Sequence, residues 1–227
     1  GNDDYFYSLR EESMKYKIEK NTVQETLILP LYSRKLCTEL YPNLYQDETA
    51  VRLIDEIDYD FSEAEKNSRS LMQRFGALEV AMRQNDLAWE VRDYLKTHPS
   101  AVVFFASGVF YYFLTQQVKA LVRGMADAFP GGVLVFDAAN RTAVKMIAKT
   151  WLRTAKIKDV GAYFAVSDAP KEIGEWDNRL QVTSRGYMLG YNDLRDPSVS
   201  GFFRFLARVG DNGMKMQIVK IGFGGKL

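Results

Sequence analysis

Few side chains in this chain are equipped for chemistry. The sequence holds one histidine, His98, and one cysteine, Cys37. His98 is followed by Pro99 and precedes the first long apolar run. That puts it in a turn at the amino end of a strand, whereas α/β sheets bind ligands at the carboxyl ends. Cys37 has no second cysteine to pair with and no histidine placed to activate it, so a packed, inert thiol is expected. Carboxylates, hydroxyls and amide groups remain. Asp137 and Asn140 follow an apolar run and face the expected ligand mouth. Two roles stay open for them: contacting a substrate, or capping a helix that starts at 142. Ser107 and Gly108 close an earlier apolar run, where Gly108 also suits a tight strand-to-loop turn. Tyr111 and Tyr112 come next, in a stretch so aromatic that core packing is an equal expectation.

The elements that must position these residues are legible around them. VVFFAS (102–107) is rich in β-branched and aromatic residues and reads as a buried strand. Thr115 then caps a helix over 116–129, with Val118, Leu121, Val122, Met125 and Phe129 on its apolar face. Pro130-Gly131-Gly132 turns the chain into a second apolar strand, VLVFDA (133–138). Strand, crossover helix and strand, apolar on both faces, is a parallel βαβ unit. Upstream, residues 1–22 are polar, and 23–41 mix an apolar segment with Pro30 and the basic pair Arg34-Lys35. Asp47 caps a helix lined by Ala50, Leu53, Ile54 and Ile57, and a further helix covers 84–96. The first 97 residues are therefore expected to form a helical lead-in or cap, and 98–227 the α/β core. Downstream, a helix over 142–156 presents Val144, Ile147, Ala148, Trp151, Leu152 and Ala155. A strand follows at 180–189, then a helix at 197–209 with Phe202, Phe205, Leu206 and Val209 inward. After the turn 211–213, a last strand runs over 216–223.

Composition narrows the function classes. A chain of 227 residues, 47% of them hydrophobic, can bury a sizeable core. Its net charge of +1 offers no footprint for a polyanion, so no nucleic-acid partner is expected. A lone cysteine excludes an internal disulfide and suits a reducing compartment. With no apolar run near the ~18 residues of a span, and a polar start, neither membrane association nor a signal peptide is expected. A cytoplasmic protein is the expectation. No metal site is expected.

Several blocks in order carry a family likeness: VQETLILPLYSRKL (23–36), YPNLYQDETA (41–50), IDYDF (57–61), VRDYLKTHPSAVV (91–103) and FFASGVFYYFLTQQVKALVRGMADAFPGGVLVFDA (104–138). Together they resemble the leucine carboxyl methyltransferase family, in its branch of O-methyltransferases similar to the tetracenomycin-pathway enzyme. The resemblance implies a Rossmann-like S-adenosylmethionine-dependent methyltransferase sheet with an N-terminal helical cap. It also implies methyl transfer to a carboxylate or hydroxyl oxygen of a small molecule. The two late strands fit the last hairpin of such a sheet, where an antiparallel strand inserts. By the same resemblance Arg83, Ser107, Gly108 and Tyr112 contact the cofactor, with Arg83 on its carboxylate. Thr26, Arg34, Asp137 and Asn140 line the substrate pocket, and the segment Tyr187–Tyr191 borders it. Many relatives carry glutamate where this chain has Ser107.

The chain departs from that pattern at one junction. SAVV (100–103) resembles the family's first strand, yet FFASG (104–108) resembles its fourth. A glycine-rich loop, two strands and their helices, roughly 40–60 residues by the size of βαβ units, belong between them. No G-x-G precedes Gly108. Either a segment between Val103 and Phe104 is missing from the sequence as read, or the chain lacks it and cannot hold the cofactor normally. The first account is favoured. Losing central strands would expose apolar faces worth more than the ~5–15 kcal/mol by which domains are stable. Methyl transfer itself needs donor and acceptor held in line. An ionised carboxylate acceptor needs no base, whereas a hydroxyl needs one. Two other readings stay open: a methyltransferase-like scaffold without activity, and a nicotinamide-dependent reductase, which the absence of a dinucleotide fingerprint disfavours.

Overall fold

The computed structural model describes residues 15–19, 23–147, 149 and 161–224. Among them are eight α-helices, a four-stranded mixed sheet and a two-stranded sheet, so the protein is mixed α/β. It divides into two compact units, Gly1–Leu78 and Glu79–Leu227. The division falls inside a helix, upstream of the boundary expected at residue 97. No helix among the described residues is long and apolar enough to cross a membrane.

In the first unit, β1 (Tyr16–Lys17) pairs in parallel with β2 (Ile57–Asp58). Helix α1 (Val23–Leu40) contains Pro30 and is followed by α2 (Glu48–Glu56) and α3 (Ser62–Asn67). Ile28, Tyr32 and Leu36 recur every four residues on α1 and are buried, as are Ala50 and Ile54 on α2. The expected cap is present: Asp47 Oδ1 accepts from Ala50 N at 2.9 Å. Cys37 is fully buried, and desolvation pushes its thiol up to about 12, which leaves it unreactive.

Helix α4 (Leu71–Thr97) is 27 residues long, far beyond the 84–96 read from periodicity. In the second unit, its residues from Glu79 onward are followed by β3 (Val103–Ala106), α5 (Thr115–Ala128), β4 (Val133–Ala138), α6 (Arg141–Ile147), α7 (Ala169–Gly174), β5 (Leu180–Gly186), α8 (Gly201–Arg208) and β6 (Gln217–Phe223). The sheet order is β3-β4-β6-β5. β3 and β4 are parallel, and β6 inserts antiparallel between β4 and β5. Alternation divides the sheet's residues between two faces. Leu134, Phe136, Val219 and Ile221 pack with Val118, Val122 and Ala126 of α5 and Ile173 of α7. Asp137 and Lys220 have the opposite parity and meet α4 through Arg83 and Glu90.

Several expectations are corrected. β4 is buried at every position, but β3 is a half-exposed strand that, among the described residues, pairs with β4 alone. SAVV and FFASG, read as parts of two different strands, meet in one. Val103 pairs with Val133 and Phe104 with Leu134. On α5 the buried set is Val118, Val122 and Ala126, while Leu121 and Phe129 are exposed. Thr115 is the first helical residue rather than the cap, and the Leu114 N–H at that terminus is satisfied by Gln117 Oε1 at 2.8 Å. Helix α8 buries Phe203 and Ala207, one residue round from the expected face, and leaves Phe202, Phe205 and Val209 exposed. Trp151, Leu152 and Ala155 of the expected 142–156 helix lie outside the described residues, as do Ala148 and residues 1–14.

Candidate functional site

The site grows from α4. Glu79, Arg83, Asp86 and Glu90 follow one another at intervals of four, three and four, so a single helical face carries them. Asp137 is the last but one residue of β4, at the carboxyl end of a parallel strand, where open α/β sheets bind ligands. Its parity turns it towards α4. Arg83 Nη1 donates to Asp137 Oδ2 at 3.3 Å. Gly108 N donates to Asp137 Oδ1 at 2.6 Å, and Tyr111 Oη donates to Oδ2 at 2.9 Å. The Asp137 side chain is fully enclosed, and that of Arg83 is 18% exposed.

Gly108 sits where the chain must pass close to the guanidinium. Its φ is +68°, the left-handed region that favours glycine. A Cβ there would stand 3.7 Å from Arg83 Nη2. Burial works against the charge on Arg83, but Asp137, helped by Tyr187, Tyr111 and Glu79, holds its pKa above the ordinary value. Arg83 Nε is buried and has no hydrogen-bond partner among the described residues. Burial raises Tyr111 well above the usual phenol range, and Asp137 adds to it, so Tyr111 stays protonated and donating. Tyr112 is 43% exposed beside this group. Desolvation raises its pKa, with Arg83 opposing.

A second set of carboxylates lies farther along the same face. Tyr187 Oη donates to Glu79 Oε1 at 3.2 Å. Asp86 Oδ2 accepts from Met188 N at 3.1 Å, and its Oδ1 accepts from Asn192 Nδ2 at 3.3 Å. Asp211 Oδ2 accepts from Leu189 N at 3.0 Å. Desolvation pushes Asp86 up to about 7; its hydrogen bond from Met188 N opposes the rise and Asp211 reinforces it. Asp211 is pushed up to about 7 in the same way, against the pull of the Leu189 and Gly190 amides. These groups clasp the turn after β5, in which Met188 has a φ of +75°. Tyr191 Oη donates to Glu90 Oε1 at 2.7 Å, and Lys220 Nζ donates to Glu90 Oε2 at 2.8 Å. A separate polar cleft of about 390 Å³ opens at the same sheet edge beside Ser184, Gly186, Asp211, Lys215 and Gln217, and Arg83 does not line it.

No family model matches the chain, and no curated protein or solved structure matches it. The assignment of roles therefore rests on the chain's own geometry.

Of the residues singled out from sequence, Arg83, Gly108, Tyr112 and Asp137 come together, with Tyr111 beside them. Ser107 is half-buried between Ala106 and Gly108. Asp137 does not face an open mouth; all three of its donors are internal. Asn140 is a helix cap: its Oδ1 accepts from Ala143 N at 3.0 Å, and its Nδ2 donates to Gly213 O at 3.0 Å. Arg34 is held within the first unit, where its Nε donates to Asp47 Oδ2 at 2.7 Å and to Tyr45 Oη at 3.3 Å. The side chain of Thr26 lies outside the described residues. His98 stacks on Tyr94 with ring centroids 4.2 Å apart, in the turn between α4 and β3, as its sequence position implied. Glu79, Asp86 and Asp211 were not singled out. For the first two, the periodic charges across 79–90 were the signal.

Proposed function

We propose that the chain is built on the plan of an S-adenosylmethionine-dependent O-methyltransferase, with a Rossmann-like sheet, and that Arg83 receives the carboxylate of that cofactor. The observation carrying this reading is the strand order β3-β4-β6-β5, its last strand antiparallel between neighbours, beside a guanidinium at the carboxyl edge. That is the half-sheet expected of the resemblance, including its inserted final strand. The amino-acid end of the cofactor fits. Arg83 keeps a buried Nε without a partner, and a guanidinium offers a planar fork matched to a carboxylate. The nucleoside end is not fitted: no G-x-G precedes Gly108.

S-Adenosylmethionine supplies an electrophilic methyl group, and an ionised carboxylate on a small-molecule acceptor accepts it without a base. Neither Asp137 nor Tyr111 is free to act as that base. Asp137 is committed to three donors and Tyr111 is held protonated. A carboxylate acceptor therefore fits better than an alcohol.

The lack of a G-x-G before Gly108 favours a second reading, a methyltransferase-like scaffold that binds a small anion at Arg83 without transferring a methyl group. Thermal unfolding of the full chain with S-adenosylmethionine, S-adenosylhomocysteine and NADPH tests both. Saturation to 100 times the dissociation constant stabilises by about 2.7 kcal/mol. The first reading expects stabilisation by S-adenosylhomocysteine that Arg83→Lys weakens. Stabilisation by simple carboxylates alone selects the scaffold. A response to NADPH alone overturns both.

A further inference from the structure

The polar cleft of about 390 Å³ draws its sheet residues from β5 and β6, and β4 separates these strands from β3 and the Val103–Phe104 junction. Gly186 pairs with Gln217, and Gln217 with Ala138, so the cleft opens at the row that ends β4, on the carboxyl edge where α/β sheets bind ligands. Gln217 shares the parity of Val219 and Ile221, whereas Asp137 has the opposite parity, so the cleft and Arg83 lie on opposite faces of the sheet. A Cβ on Gly186 would stand 2.9 Å from Asp211 Oδ2, so glycine keeps that side of the cleft free of a side chain. Gln217 is 6% exposed. Its Nε2 donates to Val166 O and to Lys215 O, both at 3.2 Å, which locks the amide. No group among the described residues donates to its Oε1, which is left to the cleft. Charges of both signs line the same space without neutralising one another. Lys215 forms no ion pair among the described residues. Asp168 Oδ1 accepts from Lys171 N at 3.2 Å, Asp211 Oδ2 accepts from Leu189 N, and Asp211 Oδ1 is buried without a partner. The hydroxyls of Ser167 and Ser184 make no hydrogen bond among the described residues.

We propose that this cleft binds a small zwitterion carrying the ammonium and carboxylate of a free α-amino acid. The ligand's carboxylate meets Lys215 Nζ and the serine hydroxyls, and hydrogen bonds to an ionised group are the strong kind. Its ammonium meets Gln217 Oε1 and the uncommitted oxygen of Asp168, with the Asp211 carboxyl beside them. A simple anion would meet Lys215 but be repelled by the acids, and a simple amine would meet the acids but be repelled by Lys215. Only an ion with both charges answers both. No aromatic ring lines the cleft, so a nucleobase would find no surface to stack on. The proposal is independent of the methyl-transfer reading, which concerns the other face of the sheet.

Titration of the full chain with glycine and L-serine, followed by NMR at the Gln217 side-chain amide, tests it. Acetate and methylammonium serve as single-charge controls. Both amino acids are expected to shift the Gln217 signals saturably, and each control is expected to bind at least about tenfold more weakly, the worth of one charge-assisted hydrogen bond. Lys215 is exposed, so Lys215→Met is expected to fold and to weaken amino-acid binding by about tenfold or more. Arg83→Lys is expected to leave that binding unchanged. Should Lys215→Met fail to fold, the wild-type comparison of amino acids with the two controls decides. Gln217 signals that do not move with either amino acid overturn the proposal, as do controls that bind as tightly or a Lys215→Met variant of unchanged affinity. Binding lost in Arg83→Lys and kept in Lys215→Met overturns it in favour of the Arg83 site, so the two sites are told apart.

Discussion

Two sets of carboxylates lie along one face of α4, and the protein treats them in opposite ways. Asp137 has a guanidinium, a backbone amide and a phenol directed at it, so its charge is matched inside the fold. Asp86 is 1% exposed and receives one backbone amide and one side-chain amide, with Asp211 adding repulsion. The contrast separates two uses of a buried acid. Where a cation is supplied, the acid anchors it and aims it at the sheet's carboxyl edge. Where no cation is hydrogen-bonded to it, as at Asp86, desolvation raises the acid's pKa and the acid braces a turn.

The comparison is broken most severely at Arg83. Arg83→Met leaves Asp137 enclosed without its cation, a loss of about 3–5 kcal/mol, read from urea unfolding. Arg83→Lys keeps the charge without the planar fork and is expected to cost less. Equal losses for the two variants would show that shape, not charge, matters there.

The acids around the turn are tested by pH. The folded protein raises Asp86 to about 7, so it favours the protonated form. That stability is complete below the ordinary carboxylate value near 3.8 and is lost as pH rises through 7. Between pH 5 and 8, unfolding free energy is expected to fall by an amount on the order of 2–3 kcal/mol. Asp86→Asn should reduce that slope to the part due to Asp211, because the amide does not titrate while its oxygen still accepts from Met188 N. Asp47 in the first unit has the opposite sign. Its pKa is lowered against desolvation by the Ala50 amide and Arg34, so its stability is present above the ordinary value and lost only in more acidic solution. A slope of unchanged size in Asp86→Asn would remove the proton from the account of this turn.

How much of this was legible follows from which force fixes each part. The βαβ unit could be read because β4 is apolar on both faces and Pro130-Gly131-Gly132 ends the helix before it. Asp47 could be read because a cap is local. The inward face of α8 could not, since Phe202 and Phe205 are as apolar as Phe203 and only packing chooses among them. α4 was seen in part, because its first turns are exposed, with Leu71 and Met72 at 59% and 75%. Its Glu79, Arg83 and Asp86 also occupy positions where periodicity expects apolar residues. Asp137 was found, but its three internal donors depend on contacts 26 to 54 residues away in sequence.

Gly108 sharpens the paired side of the comparison. Gly108→Ala places an L-residue at φ +68°, a cost of about 1–2 kcal/mol. The added methyl would stand 3.7 Å from the guanidinium, an ordinary contact, so strain rather than collision is the expected cause. Unfolding of Gly108→Ala alone and combined with Arg83→Lys checks this. Losses that add within error mean backbone strain, while strong coupling means that the methyl displaces Arg83.

The smallest effect is expected at Asn140, and it marks where the paired site ends. Asn140 lies three residues beyond Asp137, yet its carbonyl oxygen accepts from Ala143 N and its amide reaches Gly213 O. Both contacts hold the start of α6 and the turn before β6, and neither reaches Arg83. Asn140→Ala should therefore cost about 1 kcal/mol, the usual worth of a helix cap. It should leave S-adenosylhomocysteine or anion binding unchanged, whichever ligand the Arg83 site takes. Asn140→Asp keeps the oxygen that receives the Ala143 amide, so it should recover part of that loss. A ligand affinity that falls in Asn140→Ala but not in Asn140→Asp would extend the site past β4 and make Asn140 part of it.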